Sequence, residues 1–477
     1  MSSFVSRGAV LASARLLNQA LALLSPLLLV RLLEISEYGR YRQFMATAMF
    51  ITSLAGFALS ANLNYLIARS PERQAVDITN TCLLMLAVSL VSAFVVVVAR
   101  QWIVPPEIAS AWPLLAIYVF MFLNLEVLVS YWLAHGKSVN VMGYTLAITV
   151  WRIATLLAAT WWLKDVEMIF VTLVCAEAVK NLWIYLWLRR HGLLVFRWDS
   201  AAMREQVRLA APLGAGSVLY KLNDFGKVVV GNQMGPIPLA IYTTAAYQVP
   251  LVNIVQGALA DVIFPDMVKR SRRDPAHGLL LWKRAQVLIF AAICPAWLLL
   301  TYWAEPLVRL LFTDAYVAAV PYFQVFLLLM VRQCFQFSTP LRSVEDNASF
   351  AHANLAALLI NVGLIVALMP KFGLWGPTLG LVVGQTWTSV YLGVRILKRY
   401  KLPLSELCQW GKLGLALASS VVALAALHVS QIYLPHSPLG MLGGLVLFAL
   451  VYTAAARIIL REEYGYVMRA ILRRKTA

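Results

Sequence analysis

Apolar windows of about 20 residues recur from one end of the chain to the other, separated by short polar segments rich in Lys and Arg. An α-helix rising about 1.5 Å per residue needs windows of this length to cross a hydrocarbon core of about 30 Å. The pattern predicts fourteen spans: 8–30, 44–67, 79–99, 112–134, 142–163, 168–188, 209–231, 239–264, 285–303, 319–340, 350–369, 374–394, 409–430 and 438–456. The first window is too long for the apolar segment of a signal peptide, and it carries Arg15, Asn18 and Gln19. The expected fold class is therefore an all-α polytopic membrane protein.

Loop charge orients the spans. With a cytoplasmic N-terminus, the cytoplasmic side carries 26 of the 40 Lys and Arg residues, among them the RRHGLLVFRW, KRSRR and RILKRYK segments and the C-terminal tail. The opposite side carries seven: Arg31, Arg40, Arg42, Arg100, Lys164, Arg309 and Lys371. This asymmetry predicts an even number of spans and two cytoplasmic termini.

Composition agrees with a membrane protein. Of the 477 residues, 61% are hydrophobic and 13% charged, against about a quarter charged in a soluble domain. The mean hydropathy is +0.75. The net charge of +18 sits in the short loops, so it reads as membrane topology and not as a nucleic-acid surface. Cys82, Cys175, Cys294, Cys334 and Cys408 show no CxxC spacing and read as apolar fillers. No loop exceeds about 20 residues, which leaves no room for a soluble catalytic domain. There is no GxxxxGK[ST] phosphate loop and no HExxH motif, so the expectation is a non-enzyme with no cofactor and no bound metal.

The chain also reads as duplicated. LVRLLEISEYGRYRQFMATA joins the first two spans, and VVGNQMGPIPLAIYTTAAYQ occupies the equivalent place about 200 residues later. Both place a short turn, a small residue and a tyrosine between apolar helices. The expected organisation is a six-span lobe over 1–195, a second over 196–400, and two further helices with a basic tail over 401–477.

Five segments carry a resemblance: RLLEISEYGRY, GPIPLAIYTTAA, VIFPDMVKR, LFTDAYVAAVPYF and LMPKFGLWGPTLGLVVG. In order and spacing they resemble the polysaccharide transporter family of the multidrug/oligosaccharidyl-lipid/polysaccharide exporter superfamily. The resemblance implies two six-helix lobes around a central cavity. It implies the flipping of undecaprenyl-pyrophosphate-linked oligosaccharides across the bacterial inner membrane, by alternating access without ATP, for O-antigen or exopolysaccharide synthesis. It further implies a chain that acts as a monomer in the lipid bilayer, with a polysaccharide polymerase and chain-length machinery as candidate partners and no nucleic acid.

Charges inside the spans fit such cargo. Seven basic residues fall there (Arg15, Arg152, Lys180, Lys221, Lys227, Arg332 and Lys412) against four acidic ones (Glu126, Glu177, Asp224 and Asp261). Charges at membrane depth face a cavity or one another. Glu177 and Lys180 pair by spacing. In KLNDFGK, Asp224 can neutralise Lys221 or Lys227 but not both. Arg15, Arg152 and Arg332 have no acidic residue three or four positions away. The candidate headgroup site is therefore Arg15, Arg152, Lys221, Lys227 and Arg332. Asn18, Gln19, Asn223, Gln333 and Gln336 are candidate sugar contacts. Glu126, with no basic residue within four positions, is the candidate coupling carboxylate beside Asp224, Glu177 and Lys180. A multidrug exporter of the same superfamily is the alternative, but it predicts an acidic excess in the spans. A membrane glycosyltransferase or polymerase predicts a large outer loop or an acidic cluster, and the sequence shows neither.

Overall fold

The structure is a computed structural model that describes residues 17–18, 21, 24–55, 59–123, 127–195, 199–247, 249, 275–343, 346–433 and 438–459. Among the described residues all regular structure is helical. Eight helices are long and apolar enough to cross a membrane, over Pro71–Val98, Pro106–Ala134, Ser138–Leu163, Val166–Arg190, Gly278–Tyr302, Asp314–Leu341, Ala348–Phe372 and Trp410–Gln431. Each coincides with a predicted window. The described parts of the other windows are largely helical, although in the window 239–264 the helix ends at Ala245. Exposed Phe94, Leu359, Val366 and Leu450 give these helices an apolar outer surface, as a bilayer requires.

Chain contacts divide the molecule into two compact units. The first comprises residues 1–244, 309–319 and 365–377; the second comprises 245–308, 320–364 and 378–477. In the first unit we number α1 (Ile35–Ala55), α2 (Leu59–Arg69), α3 (Gln74–Val98), α4 (Trp112–Phe122), α5 (Val127–Ala134), α6 (Ser138–Leu163), α7 (Val166–Arg190), α8 (Ser200–Leu222), α9 (Gly226–Met234) and α10 (Pro236–Ala245). Helix α1 begins nine residues before the predicted window, so the polar stretch holding Arg40 and Arg42 is helical and not a loop. Its start is set where the Glu37 carboxylate accepts from the Glu34 amide at 3.3 Å. Phe44 anchors α1 in the core, stacked on Phe170 at 4.3 Å and edge-on to Tyr118 at 5.5 Å.

Helices α6 and α7 form a hairpin with a two-residue turn. Lys164 stops α6 in the left-handed conformation at φ 49°. Asp165 then caps α7 by accepting from the Glu167 amide at 2.9 Å. Glu167 in the first turn and Arg189 and Arg190 in the last complement the α7 dipole. This tight turn sets the pairing of α6 side chains with those of α7.

The second unit carries α11 (Pro275–Tyr302), α12 (Val320–Gln333), α13 (Asn347–Phe372, its first part), α14 (Trp375–Tyr400, from Thr378 on), α15 (Trp410–Tyr433) and α16 (Pro438–Ile459). Trp303, Ala423, Leu427 and Phe448 form a core cluster there. Gly384 lets α14 close on α13, since a Cβ at that position would lie 2.6 Å from the Ala357 carbonyl oxygen.

Candidate functional site: a buried ion triad beside an aromatic groove

Within the first unit, three membrane-embedded charges meet. The Arg152 guanidinium on α6 donates to Glu177 Oε1 on α7 at 2.7 Å. Lys180, one turn along α7, donates to the other carboxylate oxygen. The side chains of Lys180 and Glu177 are 1% and 5% exposed, and that of Arg152 is 33% exposed. Phe122 at the end of α4 lies under both cations, with the Arg152 Cζ at 5.3 Å and the Lys180 Nζ at 5.9 Å from its ring centre. Two cations and one carboxylate leave a surplus of one positive charge at membrane depth, and Arg152 is the exposed member. Asn18 lies close by, accepting from the Thr149 hydroxyl one turn before Arg152.

Spacing along the sequence leaves Arg152 without a counter-ion. The structure supplies one from the neighbouring helix, because an i±3 or i±4 search sees a single helix and the α6–α7 hairpin lies outside it. The Glu177–Lys180 pair is local and was legible by spacing.

KLNDFGK behaves differently from one regular helix. Helix α8 ends at Leu222, Asn223–Phe225 forms a tighter 3₁₀ turn, and α9 resumes at Gly226. Lys227 donates to Asp224 Oδ1 at 3.0 Å, the two side chains being 27% and 57% exposed. Lys221 in the last turn of α8 is exposed. Asn223 is buried, its amide donating to the Leu219 carbonyl at 3.2 Å. Gly226 is packed between the Tyr242 hydroxyl and Pro377, with room for a Cβ only at 3.3 to 3.4 Å.

In the second unit, Arg332 near the end of α12 donates to the Ser389 hydroxyl of α14 at 3.1 Å. Gln333 closes α12 and Gln336 follows it, exposed. Arg15, Gln19 and Glu126 lie outside the described residues. Four of the cysteines are buried and Cys175 is exposed. Among the described residues no cluster of three His, Cys, Asp or Glu could hold a metal.

Beside the triad lies a cavity of about 610 Å³ between α6 and α7, within the size range of small-molecule sites. Trp132, Tyr144, Trp151, Trp183 and Trp187 line it, with Lys180 in its wall. The signal lay in the spacing: Asn140, Tyr144, Ala147 and Trp151 recur on one face of α6, and Lys180, Trp183 and Trp187 on one face of α7. Trp161 and Trp162 stand elsewhere, strongly exposed at the end of α6, as an interfacial anchor.

The comparisons with known proteins agree with this architecture. The family model described as polysaccharide biosynthesis protein matches residues 28–321. No curated protein matches the chain. Among solved structures, the lipid II flippase MurJ in an inward closed conformation has a TM-score of 0.69 at 11% identity, covering 95% of this chain and 99% of that one. A multidrug resistance MATE family transporter of the MOP superfamily, inward-facing, has a TM-score of 0.64 at 14% identity, covering 82% and 99%. A point mutant of the Vibrio cholerae MATE transporter VcmN has a TM-score of 0.54 at 12% identity, covering 85% and 97%. The chain thus belongs to the polysaccharide biosynthesis protein family, and it is a multi-pass membrane protein that shares its fold with the MurJ and MATE structures.

Proposed function

We propose that the chain is a flippase. It moves a lipid-pyrophosphate-linked oligosaccharide from the cytoplasmic to the outer leaflet of the bacterial inner membrane by alternating access, for surface polysaccharide synthesis. The observation that carries this reading is the surplus positive charge of Arg152–Glu177–Lys180 inside a membrane-spanning hairpin. A pyrophosphate cannot cross hydrocarbon without partners, and a guanidinium provides a forked, charge-assisted pair of donors. Lys221, exposed and one helical turn from the Lys227–Asp224 pair, adds a second cation of the same kind. Arg15 and Arg332 complete the proposed set of headgroup cations. Polar side chains at Asn18, Gln19, Asn223, Gln333 and Gln336 are proposed to meet the sugars. Both termini are cytoplasmic in this reading.

The test is translocation in vesicles reconstituted with the purified chain, using a labelled lipid-pyrophosphate oligosaccharide and an impermeant enzyme that reports leaflet exposure. The wild type should expose the cargo. Arg152→Gln should slow exposure about 10- to 100-fold, the cost of losing a charged hydrogen bond of about 1.5–3 kcal/mol. Equal rates for a neutral lipid-linked sugar, or an unaffected Arg152→Gln, would refute an anionic headgroup site. Glu126 is the proposed proton carrier: with an imposed pH gradient, Glu126→Gln should abolish the response, whereas Asp224→Asn should leave it in place.

A further inference from the structure

The α6–α7 cavity has a direction. It runs along α6 from Asn140 to Trp151, eleven residues or about 16 Å, which is half the depth of a hydrocarbon core of about 30 Å. At its inner end lies the triad, through Lys180. At the opposite end, toward the membrane surface on the Lys137 side, α6 is preceded by Lys137 and α7 finishes with Arg189 and Arg190, all three exposed. Trp187, close to that end, stacks on His191 at 3.9 Å and meets Trp132 edge-on at 5.4 Å. The groove is apolar, aromatic and laterally open: Trp151, Val179 and Trp183 are all exposed. Gly143 in its floor has open space around it, since a Cβ there meets nothing within 4 Å. An apolar slot one leaflet deep with a basic mouth is complementary to a single lipid chain bearing an anionic headgroup.

We propose that this groove holds the polyprenyl chain of the lipid-linked cargo, with its phosphate at the basic end formed by Lys137, Arg189 and Arg190. The proposal rests on the cargo and orientation given above, which put that end in the leaflet where the cargo is loaded. A row of flat indole faces favours an isoprenoid, whose methyl branches and double bonds present C–H and π surfaces at every unit. Docking the chain at the side of the hairpin leaves it in lipid while the headgroup is handed toward Arg152, whose side chain is 33% exposed.

The experiment uses the full chain in lipid nanodiscs and a polyprenyl monophosphate carrying a photoreactive diazirine in its chain, with adducts mapped by peptide mass spectrometry. Adducts are expected on residues 140–151 and 179–187. Gly143→Leu and Ala147→Leu fill the groove from two positions and should each lower these adducts at least tenfold. Gly363→Leu also enters open space, but outside the groove, and should leave them unchanged. The same chain as a free alcohol should label about tenfold less. Adducts that persist in both blocking variants, or a photoreactive phosphatidylglycerol labelling the groove as efficiently, would overturn the proposal, the latter by making the groove an ordinary lipid contact. The two readings separate cleanly. Translocation by the wild type without groove labelling defeats this inference and leaves the flippase standing. Groove labelling without translocation defeats the flippase and leaves the chain site.

Discussion

Gly39 faces the carbonyl of Pro236 so closely that a Cβ on Gly39 would lie 2.2 Å from its oxygen. The contact joins the N-terminal part of α1 to the start of α10. These are the places where RLLEISEYGRY and GPIPLAIYTTAA stand in the sequence. A third segment arrives at the same end of the first unit: Tyr316 of LFTDAYVAAVPYF meets Tyr38 edge-on at 6.0 Å, and Arg31 donates to the Leu310 carbonyl at 2.7 Å. Gln43 ties the end down further, donating to the Gly231 carbonyl at 2.8 Å and to Glu107 Oε2 at 2.9 Å. Segments that are loose patterns in sequence are thus the packing surfaces of one helical junction.

Gly39→Ala should therefore be costly. The backbone of Pro236 must move, because no flexible side chain can yield there. An overpacking penalty of about 1–3 kcal/mol is expected. Gly143→Ala, which enters open space, should stay within about 0.5 kcal/mol of wild type. Thermal unfolding of the purified variants in detergent measures both. If Gly39→Ala melts with the wild type, the junction is less tightly packed than described.

The spans were legible because a bilayer imposes one length and one polarity on every crossing helix, and the eight described helices long and apolar enough to cross fall where the hydropathy pattern puts them. Helix α1 was misjudged at its start. Arg40 and Arg42 look like loop residues, yet Arg40 is satisfied by the Glu107 carbonyl at 3.1 Å and by Glu167 at 3.6 Å, both from distant segments. The same limit hid the partner of Arg152. The Glu177–Lys180 pair was legible since both residues share one helix face, whereas Glu177 reaches Arg152 through a turn at Lys164–Asp165 whose geometry depends on a left-handed lysine. The groove is invisible to a search along one helix because its tryptophans come from α5, α6 and α7, and only the folded hairpin lines them up.

A cap in the second unit gives a pH dependence. Asp346 precedes α13; its carboxylate accepts from the Ser349 amide at 3.2 Å and the Ser349 hydroxyl at 2.8 Å, and Arg395 stands at 3.5 Å. Partial burial pushes the carboxyl up, but the two Ser349 bonds and the Arg395 guanidinium outweigh it and hold the group below its ordinary value of 3.8. A carboxylate depressed in the folded state stabilises above its unfolded pKa, and that contribution is lost as pH falls through the folded value. Asp346→Ala should cost about 0.5–2 kcal/mol at neutral pH, the usual worth of an N-cap. The difference from wild type should shrink as the pH drops below 3.8. A difference that stays constant down to about pH 2 would exclude the ionised cap as its source.

Lys137 and Lys164 bracket α6, whose 26 residues span about 39 Å, enough to put them on opposite sides of the membrane. The loop-charge asymmetry predicts Lys137 on the inside and Lys164 on the outside. In a background with the native cysteines replaced, Lys164→Cys should react with an impermeant maleimide on intact cells. Lys137→Cys should react only after permeabilisation. The reverse pattern would invert the whole topology.

The triad makes the sharpest separation between stability and transport. Glu177 neutralises two cations, one of them, Lys180, with a side chain only 1% exposed. Glu177→Gln leaves Arg152 and Lys180 on either side of position 177 with no counter-charge, and breaking a buried pair from one side typically costs about 3–5 kcal/mol. Arg152→Gln instead leaves Glu177 and Lys180 as a neutral pair, so the fold should hold while the surplus positive charge disappears. Glu177→Gln combined with Lys180→Met removes one charge of each sign and keeps Arg152, so it should recover most of the lost stability. Expression yield and melting temperature in detergent should therefore rank wild type and Arg152→Gln together, the double variant slightly below, and Glu177→Gln far below. Transport should rank differently, with Arg152→Gln the poorest of the folded proteins. If Arg152→Gln is instead as unstable as Glu177→Gln, the guanidinium is a structural brace and the headgroup site lies elsewhere.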